Sequence, residues 1–221
     1  MGFQIAIDGP AGAGKSTIAK KVASRLGFIY VDTGAMYRAM ALFLMREQID
    51  PQDAEAIGRK CEEADITIRY ENKEQVVYLN GENVNQFLRT EQVGSMASLT
   101  SPNPVVRAKL VKLQQKLAAD ADVVMDGRDI GTCVLPDAEV KIFLTASSKV
   151  RAERRYKELT AKGEKCDIDL IEKDIIVRDH QDMTREISPL AAADDAVLID
   201  SSYMTIEEVA ETIIGKTGRK G

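Results

Sequence analysis

Nine consecutive residues, Gly9-Pro10-Ala11-Gly12-Ala13-Gly14-Lys15-Ser16-Thr17, combine backbone freedom with one cation and two hydroxyls. Glycines in such a run let successive N–H groups turn inward around an anion, because no Cβ blocks the required dihedrals. A lysine following them reaches outer phosphates, and the next hydroxyl suits Mg²⁺; this spacing is that of the phosphate-binding P-loop. Two further segments crowd arginines beside carboxylates: Gly127-Arg128-Asp129, and Arg178-Asp179-His180-Gln181-Asp182-Met183-Thr184-Arg185. Phosphoryl transfer needs such a set, since its transition state spreads negative charge that positioned cations stabilise. An acceptor that is itself a phosphate needs no general base. His180 is the only histidine, and it reads as a spacer or surface residue.

The elements that must hold these residues follow from the apolar patterning. Phe3 to Asp8 reads as a strand before the loop, and Ile18, Val22 and Leu26 give the helix after it an apolar face ended by Gly27. Phe28 to Val31 is a second strand, completing a βαβ unit and implying a parallel sheet. Asp32-Thr33-Gly34-Ala35-Met36-Tyr37-Arg38 leaves the carboxyl end of that strand, where ligands bind in open α/β sheets. A helix then runs through Met40, Leu44 and Met45, and another from Asp50-Pro51 to about Ala64. Ile66–Tyr70, Gln75–Leu79 and a short piece near Val84, with turns at 71–74 and Asn80-Gly81, read as a small antiparallel insert. A helix follows after Thr90, and Val106, Leu110, Leu113 and Leu117 stripe another beside Arg107. Val123–Asp126, Val140–Leu144 and Ala196–Asp200 are further core strands, the first ending in an acid as a Walker-B strand does. Charged helices from about Ser148 and from Asp169 to Asp182, broken at Lys162-Gly163, read as a lid. Thr205 to Ile214 is a closing helix with Ile206, Val209 and Ile213 inward.

Composition narrows the class. The chain has 221 residues, a net charge of −5 and 44% hydrophobic residues, which suits one large domain with a small insert and disfavours a non-specific nucleic-acid binder. Cys61, Cys133 and Cys166 have neither metal-ligand spacing nor an even count, and are read as reduced thiols of an intracellular protein. No apolar run approaches a membrane span, and Phe3–Ile7 is too short for a signal peptide. A switch GTPase is disfavoured: no aspartate is followed by glycine three residues later, and Asn72-Lys73-Glu74-Gln75 lacks the base-reading aspartate. Residue chemistry alone leaves open a nucleotide or small-metabolite kinase and a nucleotide-dependent binding module.

The combined segments resemble bacterial cytidylate kinases over about residues 3–215. The resemblance rests on Ile5 to Ser16, Asp32 to Arg38, Asp126-Gly127-Arg128-Asp129-Ile130-Gly131-Thr132, and the Arg178, Asp182, Arg185 spacing before Ser188-Pro189-Leu190. It implies an α/β fold: a five-stranded parallel P-loop kinase core with helices on both faces, an antiparallel acceptor insert and a helical lid. The expected division is 1–64 with 99–221 for the core, the lid at about 148–185, and 65–98 for the insert. The resemblance implies phosphorylation of CMP and dCMP by ATP with Mg²⁺, in a monomeric cytoplasmic protein with no nucleic-acid or membrane partner. Gly9 to Thr17 would hold ATP, with Ser16 toward Mg²⁺. Ser98, Arg107 and Asp129 would read cytosine, and Arg178 and Asp182 would contact ribose. Arg38, Arg128 and Arg185 would clamp the acceptor phosphate, Lys15, Arg128 and Arg185 being catalytic. Thr33 stands where relatives often carry serine.

Overall fold

The computed structural model describes residues 2–72 and 74–219. In chain order the elements are β1 (Gln4–Asp8), α1 (Lys15–Leu26), β2 (Ile29–Asp32), α2 (Thr33–Arg46), α3 (Ala54–Cys61), β3 (Ile66–Glu71), β4 (Glu74–Leu79) and β5 (Glu82–Asn83). Then come α4 (Glu91–Thr100), α5 (Pro104–Ala118), β6 (Val123–Gly127), a π-helical turn (Ile130–Val134), β7 (Val140–Thr145), α6 (Ser148–Ala161), α7 (Ile168–Thr184), β8 (Val197–Asp200) and α8 (Ile206–Lys216). The larger sheet is five-stranded and parallel, in the order β2-β6-β1-β7-β8, and the smaller is antiparallel, β3-β4-β5.

The chain divides into two compact units, residues 1–2 with 29–121 and residues 3–28 with 122–221. In the second unit, β1 is flanked by β6 and β7 in parallel register, Ile7 opposite both Asp126 and Ile142. Ile5, Ala6, Ile7, Val123, Val124 and Met125 are buried, as the central strands of a sheet covered on both faces must be. α1 packs on β6 and α8. Its C-terminus closes at Gly27, whose left-handed φ of 74° lets the Phe28 amide reach the Ala23 carbonyl at 2.9 Å. Gly163, with φ of 79°, separates the packed pair α6 and α7.

In the first unit α2 is the buried spine, packed against α4 and α5. Met36, Met40 and Leu44 are fully buried on it, each contributing roughly 1.5–3 kcal/mol by removal from water. The β3–β4 hairpin pairs Ile66 with Leu79 and Glu71 with Glu74, so its strands reach further into the polar turn than the sequence suggests; Lys73 lies outside the described residues. Asn80 and Gly81, both at positive φ, turn the chain into β5 as their types predict.

Several details differ from expectation for identifiable reasons. α3 begins at Ala54, not Pro51: Asp53 is the cap, accepting from the Ala56 amide at 2.8 Å, while Asp50 closes a local turn on the Gln52 amide. The buried stripe of α5 is Val106, Arg107, Leu110, Gln114 and Ala118, with Leu113 and Leu117 only half-buried. Burial of a guanidinium and an amide rotated that face away from the purely apolar stripe. Leu26 is likewise half-buried. Ile206 is half-exposed, because it is the first helical residue, inside the capping box that Thr205 and Glu208 form; Val209 and Ile213 do face inward.

Candidate active site

The glycine loop leaves β1 and enters α1 in the second unit. Gly9 adopts φ of 149°, and a Cβ there would overlap the Leu144 carbonyl oxygen on the neighbouring strand. Gly12, at φ of 76°, lies under the Arg151 stem, whose Cβ would stand 3.3 Å from an added methyl. Gly14 is the helix N-cap in the left-handed conformation with no side-chain cap, so the first amides of α1 are left to an anion.

Lys15 is 6% exposed, and its Nζ donates to the Pro10 carbonyl at 2.8 Å, folding back along the loop. Burial, and then the nearby Arg128 guanidinium, lower its pKa from 10.5 to about 7, with Asp126, Asp8 and Asp182 opposing the shift. The Ser16 hydroxyl donates to Asp126 Oδ2 at 3.0 Å. The pair presents two hard oxygens at the end of β6, the donor type that Mg²⁺ takes alongside substrate phosphates.

After β6, Arg128 and Asp129 stand at the mouth of the π-helical turn. Arg128 Nε donates to Asp182 Oδ2 on α7 at 2.9 Å. Asp129, 4% exposed, has Arg185 Nη2 3.8 Å from Oδ1, and Arg185 Nε donates to the Ser188 carbonyl at 2.6 Å. Arg178 is half-buried beside them; desolvation first, then Arg128, lowers its pKa against the pull of Asp182 and Asp179, and its Nε has no hydrogen-bond partner among the described residues. Lys15, Arg128, Arg178 and Arg185 thus share one region with Asp126, Asp129 and Asp182. His180 is exposed, as expected.

The other expected residues belong to the first unit. Thr33 is buried at the start of α2, capped by Asp32, whose Oδ1 accepts from the Ala35 amide at 2.9 Å. Asp32 Oδ2 also pairs with Arg89 at 2.5 Å. The Gln75 side chain grips the Asp32 backbone at both ends, accepting from its N–H at 2.8 Å and donating to its carbonyl at 3.1 Å. Arg38 lies one turn into α2, its Nη1 3.1 Å from where a Cβ on Gly34 would project. Arg107, 4% exposed on α5, stands 5.9 Å from the Tyr37 ring centroid. Ser98 is half-buried on α4.

Sequence reasoning missed the residues that brace these groups. Arg151 donates to the carbonyls of Ala146 at 2.8 Å and Ala11 at 3.0 Å, and pairs with Asp179 at 2.7 Å. Arg154 donates to the carbonyls of Ser201 at 2.7 Å and Ala13 at 3.4 Å. Their spacing along a charged helix was visible, but their partners are not adjacent in sequence. Asp8 accepts from the amides of Ile130 and Gly131 at 2.7 Å each. An acid between a strand and a glycine loop was the only available signal.

Among the described residues no helix is long and apolar enough to cross a membrane. A family model described as cytidylate kinase matches residues 5–219. A cytidylate kinase of Shouchella clausii is 48% identical over 96% of this chain and 95% of its own length. One of Caldicellulosiruptor bescii is 50% identical over 96% and 94%. The solved structure of a shikimate kinase from Bacteroides thetaiotaomicron, 13% identical, covers 98% of this chain and 99% of its own with a TM-score of 0.51, a likeness of fold. The family model over residues 5–219, with relatives 48% and 50% identical over 96% of the chain, leaves one conclusion: the chain belongs to the cytidylate kinase family.

Proposed function

We propose that the protein transfers the γ-phosphoryl group of ATP to CMP or dCMP, in line and without a general base. The observation that carries the reading is the family match over residues 5–219, joined to a glycine loop whose lysine is buried against it. In this reading the amides of Gly9 to Thr17 and the α1 N-terminus cradle the donor phosphates. Lys15 swings from the Pro10 carbonyl to an outer phosphate, whose negative charge offsets the burial that lowers its pKa. Ser16 and Asp126 would hold Mg²⁺, which would supply positive charge to offset the negative charge of the phosphates.

Arg128 and Arg185 act on the transferring group and, with Arg38, clamp the acceptor phosphate. Arg178 and Asp182 contact ribose. Asp129, Arg107 and Ser98 read the base: cytosine offers an amino donor that a carboxylate or hydroxyl accepts, and ring acceptors that arginine can serve. Uracil puts an acceptor where the amino group was, and a site built for the donor rejects it by roughly 10⁴-fold. Thr33 supplies a hydroxyl to the CMP site. Residues 65–98 are taken as the acceptor insert and 148–185 as the lid over the core. The reaction is assigned to a single chain in the cytoplasm on the strength of the family resemblance.

The test is ADP release in the presence of Mg²⁺ across CMP, dCMP, UMP, AMP, GMP and dTMP. CMP and dCMP should be used fastest. Faster turnover of AMP or dTMP than of CMP would remove the base assignment.

A further inference from the structure

Asp8 ends β1 immediately before the glycine loop, and its charge favours the protonated Lys15, but its carboxylate bonds lead elsewhere. Both carboxylate oxygens instead accept from consecutive amides across the sheet, Oδ1 from Ile130 and Oδ2 from Gly131, each at 2.7 Å. Those amides open the π-helical turn that follows Arg128 and Asp129. The geometry explains the residue type. Two converging N–H donors need two acceptor atoms on one short side chain, and an ionised carboxylate alone supplies them. Asparagine has the same shape but turns an NH₂ toward one of the amides. Gly131 also fits this arrangement, because a Cβ there would stand 3.4 Å from Asp8 Oδ2 and 3.3 Å from Lys141 Cδ. Register adds to it: Asp8 lies opposite Gly127 in the β1–β6 pairing, one residue before the chain leaves the sheet. Asp8 is 3% exposed, so water cannot replace a lost acceptor.

We infer that Asp8 is a positioning residue for base selection: it fixes the turn after β6 so that the Asp129 carboxylate is held where the base of the acceptor nucleotide is read. The inference deepens the proposed function and rests on its assignment of Asp129. Asp8 touches neither substrate in this scheme. Its two bonds set the backbone direction of residues 129–131, while the Arg185 contact to Asp129 works from the side of α7. A carboxylate read by hydrogen bonding tolerates little displacement, so loosening the turn should erode discrimination before it erodes phosphoryl transfer.

The measurement is the ratio of kcat/KM for CMP to that for UMP, in which damage common to both acceptors cancels. It is made for the parent, Asp129→Ala, Asp8→Asn, Asp8→Glu and the double variant Asp8→Asn with Asp129→Ala. Asp8→Asn should lower the ratio by about tenfold or more, and Asp129→Ala by at least as much. The double variant should fall within about twofold of Asp129→Ala alone, since a residue acting through another adds nothing once that one is gone. Asp8→Glu, which keeps two acceptors, should retain more of the ratio than the isosteric asparagine; a space-filling role predicts the reverse order. An unchanged ratio in Asp8→Asn beside a lowered one in Asp129→Ala overturns the inference and leaves the base assignment standing. Unchanged ratios in both overturn the two together. Should Asp8→Asn fail to fold, hydrogen exchange in the unmodified protein still decides: the Ile130 and Gly131 amides should exchange slowly, and solvent-like rates at either overturn the inference.

Discussion

Replacing Lys15 with methionine should abolish phosphoryl transfer and yet stabilise the protein in the absence of nucleotide. Lys15 is 6% exposed, and its pKa falls from 10.5 to about 7, chiefly through burial and then through the Arg128 charge. Below pH 7 the amine is protonated in the folded and the unfolded chain alike, so the folded state bears the full difference. At about 1.4 kcal/mol per pH unit, that difference has a ceiling of about 5 kcal/mol. As pH rises from 7 toward 10.5 the folded-state amine is already neutral, and the cost shrinks to about 2 kcal/mol near pH 9. Methionine gives up the 2.8 Å bond to the Pro10 carbonyl, which offsets about 1–3 kcal/mol. The variant should therefore be more stable by about 2 kcal/mol at pH 6, or 4–8 °C in Tm for a chain of this size. The advantage should narrow as pH rises.

Urea denaturation at pH 6 and pH 9 reads this directly, in buffers without phosphate or sulfate, because an oxyanion in the loop would offset the cost of burying the Lys15 charge. Adding ATP should raise the parent's midpoint more than the variant's. The reasoning fails if the methionine variant is less stable than the parent at pH 6, or if its advantage grows toward pH 9. Near-normal kinase activity in the folded variant would refute the role of Lys15 itself.

Gly9→Ala should destabilise severely, by about 3 kcal/mol or more, because the new methyl overlaps the Leu144 carbonyl oxygen at a left-handed φ of 149°; soluble yield and urea midpoint check it, and a midpoint equal to the parent's would count against the close packing of loop and strand. His180→Ala should change stability by no more than about 0.5 kcal/mol and kcat by less than about twofold, since the side chain is exposed on α7; a tenfold loss of kcat would restore a proton-transfer role.

What the sequence discloses about this site is what lies close together in it. The strand, loop and helix from Gln4 to Leu26 are contiguous, so residue types and spacing define them without tertiary knowledge. The same holds for Asp32 with the start of α2, where the cap and the helix it begins are neighbours. The π-helical turn at Ile130–Val134 escaped notice because its two leading amides are held by Asp8, more than a hundred positions away. Arg151 escaped for a similar reason, its Ala11 partner being 140 positions distant. The α5 stripe misled because an apolar count cannot foresee that Arg107 and Gln114 would be buried in preference to Leu113 and Leu117. Local chemistry was legible, and the long-range bonds that aim it were not.

The arginines of the second unit suggest why those long-range bonds exist. Arg128 is paired with Asp182, Arg151 with Asp179, and Arg185 stands near Asp129. Bringing several guanidinium groups together would raise the energy of the folded chain if each lacked an anion. The carboxylates supply that anion before any nucleotide arrives. Under the proposed function, a bound phosphate then exchanges one anionic partner for another, and only the difference appears as affinity. Arg178 is the exception. Its Nε is buried without a hydrogen-bond partner, and burial together with Arg128 lowers its pKa. Asp182 and Asp179 oppose that shift with their charge, so what Nε lacks among the described residues is a hydrogen-bond acceptor, and a ribose hydroxyl, the contact proposed for Arg178, can supply one.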